Sequence, residues 1–463
     1  MTADTASALP ATHYGDRVTA VEPGGIERIP LEDRHGQPSQ LLWTWASPNL
    51  EFATVFVGVI AVLYFKLSFS QAVVALVLGN AVGGLTHGVL STWGPRSGLP
   101  QMVLSRTGFG YWGNVLPAGL NSVMAGIGWF AVNSVSGALA LAALTDLSAK
   151  LTLVIVVVLE IAVAFFGHNL VQAFEKFAFP VLAVVFALGA VAVFSKAHPG
   201  AAGAGGGFGG FTLAFSAAFG YAAGWNPYAA DYTRYLAPST DPVKVGLFAG
   251  LGNFLSCSVL MIVGAASVTV GVGTGDNVTA DFTGVMPSWI GNLVLLGIAL
   301  GAVSANALNV YSGAMSFLAM GIKLPLSLRR AIVALGFGAI GLVLAWHGLA
   351  DAGANYEAFL LVIAYWIAPW LGVVLTDRWL RRGPSIEEVA LSPSYVNWAG
   401  PIAMLLGMVL SIWLFSAQEQ YTGPLAKANN GAIGDLTLFV GFAISALTYW
   451  ALYTLLKPAR SAP

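Results

Sequence analysis

Residues 220–235 read GYAAGWNPYAADYTRY, and they continue an apolar run that starts at Phe211. Pro227 has no N–H to donate, and its ring clashes with the carbonyl group four residues earlier. Gly224 adds backbone freedom beside it. Backbone groups that are freed at membrane depth are tolerated only where protein or a water-filled cavity satisfies them. The stretch therefore fits a membrane helix broken at a binding site that includes Trp225. A helix that ends in a turn before the cytoplasm is the alternative.

The composition is that of a membrane protein. Of the 463 residues, 57% are hydrophobic and only 9% are charged, whereas a soluble protein carries about 25% charged residues. Long apolar runs extend from about Trp45 to Leu456, and no short alternating segments of a β-barrel are seen. The sequence predicts an all-α polytopic membrane protein with a transmembrane domain at 45–456. Residues 1–44, which lack a signal-peptide core, and 457–463 are predicted cytoplasmic tails.

Several classes of function are disfavoured. The net charge of −1 gives no sign of a nucleic-acid partner. The single cysteine, Cys257, excludes an intrachain disulfide and a cysteine-cluster metal site. The histidines are scattered, and no His–Glu, Cys–His or Ser–His–Asp set has a plausible catalytic spacing. We therefore expect neither an enzyme nor a cofactor, and the tails are too short for the output domain of a receptor or scaffold. The oligomeric state is left open.

A span needs roughly 20 residues, and the apolar runs predict twelve helices. They lie at about 45–66, 69–91, 114–143, 149–167, 172–195, 211–229, 243–271, 288–320, 331–350, 356–376, 396–416 and 433–456. Of the 20 Lys and Arg residues, all but Lys66, Lys150, Lys196 and Lys427 then fall on the side of the N-terminus. This asymmetry places both termini in the cytoplasm, with the chain in the plasma (inner) membrane.

The first span is also interrupted. Pro48 lies early in it between Ser47 and Asn49, and Glu51 follows. A carboxylate near mid-membrane normally faces a cavity or a partner, so Glu51 is a candidate to contact substrate or to exchange a proton. The alternative is a structural, hydrogen-bonded carboxyl near a helix end. Interrupted helices in corresponding positions of two halves are the best sequence pointer to a transporter site at the bilayer midplane.

Polar groups also recur in the third and eighth spans. Trp129 and Asn133 of the sequence GWFAVN are four residues apart and share one helix face. A tryptophan face suits a flat heterocycle, with about 1 kcal/mol from stacking, and an amide can read the edge of a nucleobase. Helix packing is the alternative interpretation. The eighth span places four polar side chains mid-helix, which favours a cavity lining: Ser304, Asn306, Asn309 and Ser312.

Other polar features are weaker candidates. Thr86, His87 and Glu160 are expected to make interhelical hydrogen bonds. The loop at 94–110 is either a gating or re-entrant segment or a plain connection. The glycine-rich loop at 200–210 is expected to be flexible.

Four motifs carry a resemblance to a known family. They are GPRSGLPQMVLSRTGFG at 94–110, GWFAVN at 128–133, AAGWNPYAADYTRYL at 222–236 and SANALNVYS at 304–312. Over nearly its whole length the chain resembles the nucleobase–cation symporters of the purine–cytosine permease family, and it is most similar to the fungal-type branch. The resemblance implies twelve helices. The first ten, at about 45–376, would form a LeuT-like five-plus-five inverted repeat, with two C-terminal helices at about 396–456.

The resemblance also implies a site between helices one, three, six and eight. Trp129 would stack on the base, Asn133 would bond its edge, Asn309 and Ser47 would add polar contacts, and Trp225 would form a second aromatic wall. The predicted substrate-binding residues are Ser47, Asn49, Glu51, Trp129, Asn133, Trp225 and Asn309.

Three positions depart from the family pattern. The fungal-type branch has proline where this chain has Leu308, which affects the backbone that presents Asn309. That branch has an apolar residue where this chain has Glu51. Sodium-coupled relatives have two neighbouring hydroxyl residues where this chain has Val303 and Ser304, so one ion ligand is missing. We therefore predict proton coupling through Glu51 and Ser304, with sodium as the alternative ion.

The sequence thus predicts a secondary-active symporter that imports a nucleobase, cytosine and/or purines, with a cation. The alternative is a permease for another flat heterocycle or ureide, such as hydantoin, allantoin or a vitamin precursor. A membrane receptor or enzyme is a remote alternative. The expected partners are the small-molecule substrate and the lipid bilayer.

Overall fold

A computed structural model describes residues 18, 25–201, 203–273, 277–322, 324, 329–349, 352–381, 386–456 and 458. Within these ranges the ordered elements are helices, together with one isolated β-bridge between Ala417 and Thr422. Of the predicted tails, most of 1–24 and most of 457–463 lie outside the described residues.

The principal helices are α1 (Gln40–Ala46), α2 (Phe52–Leu63), α3 (Phe69–Ser91), α4 (Val115–Val123), α5 (Phe130–Thr145), α6 (Ala149–Phe166), α7 (His168–Phe194), α8 (Gly207–Ala223), α9 (Ala229–Thr233), α10 (Pro242–Val268), α11 (Ser288–Ala319), α12 (Arg329–Gly348), α13 (Ala352–Arg381), α14 (Ala399–Phe415) and α15 (Thr437–Leu456). Shorter helices are Leu31–Asp33, Gly94–Ser97, Gln101–Leu104, Arg106–Phe109, Val278–Gly284, Ile386–Val389 and Pro424–Ala428. Each predicted span overlaps a principal helix or a broken pair of them.

The prediction of an all-helical membrane protein is confirmed. Among the described residues, eight helices are long and apolar enough to cross a membrane, and the bent pair α1–α2 would be a ninth span. The most buried of these spans are α11 and the segment Tyr356–Arg381 of α13, in each of which 78% of the apolar window is inside the protein. These two helices therefore form the centre of the bundle, and the less buried helices surround them.

The first span breaks where Pro48 predicts. Helix α1 gives way to a single 3-10 turn at Ser47–Asn49, and α2 starts in a direction that differs by 59°. Glu51 has an extended backbone (φ −152°, ψ 174°), and its side chain accepts a hydrogen bond from the N–H of Ala53. The carboxylate is thus the N-cap of α2, a position at which an acidic side chain satisfies a free backbone donor.

The sixth span breaks in the same way. Helix α8 ends at Ala223, a 3-10 turn follows at Asn226–Tyr228, and α9 begins at Ala229. The third span has an irregularity that the sequence did not predict, because α4 and α5 are joined by a π-helical turn, Met124–Trp129. Such turns are rare and are frequent at functional sites. Trp129, the last residue of this turn, lies next to the break of the sixth span.

Glycines allow α2 and α10 to approach closely. A β-carbon on Gly58 would lie 1.8 Å from the carbonyl oxygen of Met261, and one on Gly264 would lie 1.8 Å from that of Val55. Small residues at membrane helix interfaces permit this kind of backbone contact. Helix α2 is thus packed directly against α10 after the break at Pro48.

We expect Gly264→Ala to lower the thermal unfolding midpoint and the yield of folded protein. The added methyl group would overlap a backbone oxygen, and overpacking costs about 1–3 kcal/mol or more. The matched control is Gly336→Ala, since no atom of the described residues lies within 4 Å of its added carbon. Thermal unfolding of both variants in detergent measures the effect, and equal midpoints would contradict the close α2–α10 contact.

Candidate functional site

The breaks of the first and sixth spans meet through a tryptophan–asparagine hydrogen bond. Trp225 Nε1 donates to Asn49 Oδ1 over 2.8 Å, and Asn49 Nδ2 donates to the carbonyl oxygen of Trp45 over 2.8 Å. Because a backbone carbonyl can only accept, the orientation of the Asn49 amide is fixed. The Trp225 ring is therefore held in place by the 3-10 turn of the first span.

An enclosed cavity lies against this ring. Its volume is about 10 Å³, room for about one water molecule, and it is lined by Trp129, Tyr221, Gly224, Trp225 and Asn309. Trp129 meets the ring of Tyr221 edge-on, with 5.3 Å between the centroids. The cavity brings together three of the predicted site residues, Trp129, Trp225 and Asn309, from three different spans. Tyr221 was not among them, because a tyrosine in an apolar run gives no signal of its own.

Amide groups on α5 and α11 form a network beside the cavity. Asn306 Nδ2 donates to the carbonyl oxygen of Phe130 over 2.9 Å. This bond fixes the orientation of the Asn306 amide, whose other atom, Oδ1, can only accept hydrogen bonds. Asn133 Nδ2 and Asn309 Nδ2 both donate to this oxygen, over 3.0 and 3.2 Å. Asn133 Oδ1 is buried and has no hydrogen-bond partner among the described residues. Asn133 does not line the cavity itself, but it lies one helical turn from Trp129.

Leu308 does not interrupt the helix that carries Asn309. Helix α11 continues through it, and its carbonyl oxygen lies 3.5 Å from the hydroxyl of Tyr232. The hydroxyl group of Tyr228 donates to Asn309 Oδ1 over 3.3 Å. The amide of Asn309 is thus oriented by its neighbours on both sides, although the proline of the fungal-type branch is absent.

Glu51 is fully buried and does not line the cavity. Its Oε2 accepts from the N–H of Ala53 over 2.9 Å, and its Oε1 accepts from the hydroxyl of Tyr221 over 2.9 Å. The hydroxyl of Ser136 is 3.5 Å from Oε2. Glu51 therefore reaches the cavity through Tyr221, and these contacts also fit the structural alternative of a helix-capping carboxyl.

A second hydrogen-bonded cluster lies on the other side of the first break. Ser47 Oγ is 3.2 Å from Ser304 Oγ, and Ser304 Oγ donates to Glu175 Oε2 over 2.7 Å. Ser47 and Ser304 do not line the cavity. Glu175 was missed because the fifth span was predicted to begin at 172, which placed this residue at a membrane surface. Helix α7 begins at His168 and carries Glu175 two turns inward, where it is fully buried.

The other polar residues of the sixth span lie away from the cavity. Asp231 Oδ1 accepts from the N–H of Gln101 over 2.8 Å, and Arg234 donates to the hydroxyl of Tyr311 over 3.1 Å and to the carbonyl of Gly25. The contact of Asp231 ties the segment 94–110 to α9. This segment forms three short, mostly buried helices.

Thr86 and Glu160 make the interhelical hydrogen bonds expected of them, but His87 does not, because both of its buried ring nitrogens have no partner among the described residues. Thr86 Oγ1 accepts from Asn226 Nδ2 over 2.7 Å, and Glu160 Oε2 accepts from Ser134 Oγ over 2.7 Å. The ring of His87 packs against that of Trp45 at 4.2 Å between centroids.

A wider, mainly apolar vestibule lies beyond Trp129. Its lining includes Phe52, Val132, Ser136, Tyr356 and Phe359. Phe359 meets Trp129 edge-on at 5.0 Å, so this contact separates the vestibule from the small cavity. The vestibule is larger, but the aromatic and amide groups converge at the small cavity, and convergent polar groups are what orient a ligand.

Two broken helices that enclose an aromatic and amide cavity inside a membrane-spanning bundle define a membrane transporter. This class agrees with the prediction that the chain is not an enzyme. Within the described ranges no group of three or more His, Cys, Asp or Glu residues could hold a metal ion.

The chain belongs to the family of permeases for cytosine/purines, uracil, thiamine and allantoin, whose family model matches residues 28–441. It is 29% identical over 460 residues to the putative purine-cytosine permease YxlA of Bacillus subtilis, with 95% of this chain and 96% of the relative covered. It is 28% identical to the purine-cytosine permease fcyB of Emericella nidulans, with 93% and 88% covered. The family predicted from the four motifs is confirmed, and the protein is a multi-span membrane transporter.

A solved structure has the same fold. Mhp1, a nucleobase-cation-symport-1 family transporter in a closed conformation with bromovinylhydantoin bound, superposes with a TM-score of 0.74. The identity is 16%, and the match covers 96% of this chain and 97% of Mhp1. At this identity the likeness concerns the fold alone.

We expect Tyr221→Phe to destabilise the protein by about 1–3 kcal/mol, because a buried carboxylate oxygen of Glu51 loses its donor. The ring and its contact with Trp129 would remain. Thermal unfolding of purified protein measures the change. Tyr421→Phe is the matched control, since its hydroxyl bonds the carbonyl of Trp413 at a residue that is 44% exposed. An equal midpoint in the two variants would contradict the buried hydrogen bond.

Proposed function

We propose that the protein is a secondary-active symporter that imports a nucleobase, cytosine and/or purines, together with a proton. The observation that carries this proposal is the convergence of Trp129, Trp225 and the amide of Asn309 on one small cavity, which has room for about one water molecule in this conformation. The two rings would move apart when a base enters between them. Aromatic faces bind a flat ring, and amides give orientation and specificity. The names of the two relatives, both purine-cytosine permeases, agree with this substrate class.

The architecture that we propose has twelve spans. The first ten, from α1–α2 to α13, form an inverted repeat of five and five, and α14 and α15 follow it. The matched breaks in the first and sixth spans and the likeness to Mhp1 support this arrangement. Both termini would be cytoplasmic, as the distribution of Lys and Arg predicts, and the protein would lie in the plasma membrane, in agreement with its membership of a permease family.

The amide network suggests which edge of a base is recognised. Asn133 and Asn309 both direct Nδ2 to Asn306. The Oδ1 of Asn133 has no hydrogen-bond partner among the described residues, and the Oδ1 of Asn309 accepts from Tyr228 and has one lone pair left for a ligand. A carbonyl oxygen accepts hydrogen bonds. The site would therefore favour a base whose edge carries N–H donors, such as the amino group of cytosine. Asn49 and Glu51 would contribute through Trp225 and Tyr221, to which they are hydrogen-bonded, and Ser47 through Ser304.

The transport cycle would alternate between two openings. The vestibule lies at the start of α2 and α13 and the end of α12, on the side opposite the N-terminus, which we take as the outside. On the N-terminal side, Trp45 packs edge-on against Tyr232 at 5.3 Å between centroids. Rocking of one helix group would open this packing and expose the site inward. Cation coupling, predicted through Glu51 and Ser304, requires that ion and base stabilise each other's bound state.

Another flat heterocycle is the second candidate substrate. Mhp1 was solved with bromovinylhydantoin, and the vitamin B6 transporter TPN1 of Saccharomyces cerevisiae is 28% identical over 514 residues. The stacking and amide groups of the cavity would suit a hydantoin, allantoin or a vitamin precursor equally well. Sodium coupling belongs to this alternative.

Uptake of radiolabelled cytosine, adenine, guanine, hypoxanthine, uracil and allantoin tests the proposal, in cells that lack their own base permeases. We expect uptake of cytosine or a purine that a protonophore abolishes and that does not depend on sodium. Uptake of allantoin alone, or of no compound by protein shown to be in the membrane, would contradict a nucleobase as substrate.

We expect Trp129→Phe to weaken base binding about fivefold and Trp129→Ala by tenfold or more, since stacking contributes about 1 kcal/mol beyond area burial. Trp398→Ala is the matched control, because this side chain is 55% exposed. Competition binding of labelled cytosine to purified protein gives the affinities. Unchanged affinity in both Trp129 variants would show that the base binds elsewhere.

A further inference from the structure

Glu175 stands out among the buried carboxylates. It is fully buried on α7, and its Oε2 accepts a hydrogen bond from Ser304 over 2.7 Å. Its Oε1 has no hydrogen-bond partner among the described residues. A buried ionised carboxylate with one donor is costly in the membrane interior. A proton on Oε1 would remove this charge without disturbing the bond from Ser304.

Glu51 is in the opposite situation. Both of its oxygens accept hydrogen bonds, from the Ala53 N–H and from the hydroxyl of Tyr221. Donors to both oxygens stabilise the ionised form, and the bond to Ala53 would weaken if Oε2 carried a proton. Glu51 therefore fits a fixed helix cap better than a group that gains and loses a proton.

Glu160 also has an oxygen without a partner among the described residues. Its contact, however, runs to Ser134 of α5, and Ser134 accepts from Asn306 of α11. These three residues lie on continuous helices. Glu160 therefore supports the orientation of the amide network and does not touch either break.

The hydrogen bonds of Glu175 lead directly to the substrate cavity. Ser304 contacts Ser47, which opens the 3-10 turn Ser47–Asn49 of the first break. Asn49, at the end of the same turn, holds Trp225 over 2.8 Å. One short path thus connects a buried carboxylate on α7, a hydroxyl on α11, the break of the first span and the aromatic wall of the cavity.

The surroundings of Glu175 contain few other titratable groups. Tyr232 of α9 interacts with it electrostatically, and Ser47 and Ser304 face it from the first break and α11. Lys176, the next residue on α7, is exposed, and His168, two turns earlier, stacks on Tyr235. No ion pair joins Glu175 to a Lys or Arg within the described part of the chain.

We propose that Glu175, and not Glu51, holds the coupling proton of the symporter. A proton from water on the open side bonds to Glu175 Oε1, which becomes a neutral carboxylic acid, while the hydroxyl of Ser304 continues to donate to Oε2. After inward opening the O–H bond breaks and the proton passes to water on the cytoplasmic side. The proposal rests on the proposed symport function, because it assigns the cation site of that function.

A proton fits this place better than a sodium ion. The 2.7 Å separation between Ser304 Oγ and Glu175 Oε2 is that of a direct O–H···O hydrogen bond. By linkage, a base that binds better to the protonated protein also draws the proton onto it. The affinity for the base should therefore fall as the pH rises.

Binding of labelled cytosine to the purified full-length protein, over a series of pH values with and without sodium, tests the proposal. For the wild type we expect log Kd to rise with pH with a slope approaching about one, as for a single linked proton. Glu175→Gln mimics the neutral acid and should keep the affinity of the wild type at acid pH with a slope near zero. Glu51→Gln and Glu160→Gln are the matched variants and should keep the slope of the wild type.

Each result bears on the proposal. A wild-type slope in Glu175→Gln, or loss of the slope in Glu51→Gln or Glu160→Gln instead, would overturn it while leaving the symporter intact. Binding that depends on sodium and not on pH would also overturn it. Absence of cytosine binding by the wild type would refute cytosine as substrate, and the series would then use the base identified by uptake.

Ser304→Ala provides a second route if Glu175→Gln fails to fold. This variant removes the donor to Glu175 and keeps the carboxyl group. The ionised form loses its hydrogen bond, so the midpoint of the affinity change should move to higher pH. An unchanged midpoint would overturn the assignment of the proton to Glu175.

Discussion

Backbone groups that are freed where two helices break inside a membrane must be satisfied by the protein, and much of the structure follows from this constraint. At the first break, the Asn49 side chain donates to the carbonyl oxygen of Trp45, and the Thr54 hydroxyl donates to that of Asn49. The Glu51 carboxylate accepts from the N–H of Ala53. At the sixth span, Asn253 of α10 takes up the carbonyl of Ala222 over 2.8 Å. The polar side chains at the breaks are therefore structural first.

The same side chains also shape the cavity. Having satisfied the backbone with its amide nitrogen, Asn49 has its oxygen left for Trp225, and Tyr221 bridges Glu51 to the ring of Trp129. Each fixed polar group orients an aromatic ring. The cavity is smaller than a base, so the rings would separate on binding while these hydrogen bonds limit how they are oriented.

The sequence predicted the positions of the helix breaks, because these follow from the covalent structure of proline alone. Pro48 and Pro227 remove backbone donors, and both spans break beside them. Trp129, Trp225 and Asn309 were placed together by the family resemblance, and the cavity contains all three. The limits were set by three-dimensional packing. Whether Ser47, Asn49 and Glu51 face the cavity or support it depends on the 59° bend, which no local pattern specifies.

Glu175 shows a different limit. Helix ends are uncertain by several residues in a sequence, and a shift from 172 to His168 moves a carboxylate from the predicted surface to the core. The sequence feature that could have identified Glu175 was its position within an apolar run, where an ionisable residue is a functional candidate by default. The π-helical turn before Phe130 left no signal in the sequence either.

In the proposed symport, two hydrogen-bonded clusters would let one break serve both ion and base. Tyr221 and Glu51 lie at the α2 end of the break, and Ser47, Ser304 and Glu175 lie at the α1 end. A change of charge in one cluster alters the contacts of the turn that carries Asn49. Coupling between ion and base would then pass through a single 3-10 turn.

The most direct test of this account is an experimental structure of the full-length protein with its transported base bound. The account predicts density for a flat ring between Trp129 and Trp225, with an edge within hydrogen-bond distance of the amide oxygens of Asn133 or Asn309. Density in the apolar vestibule between Phe52 and Phe359, with the small cavity empty, would contradict it.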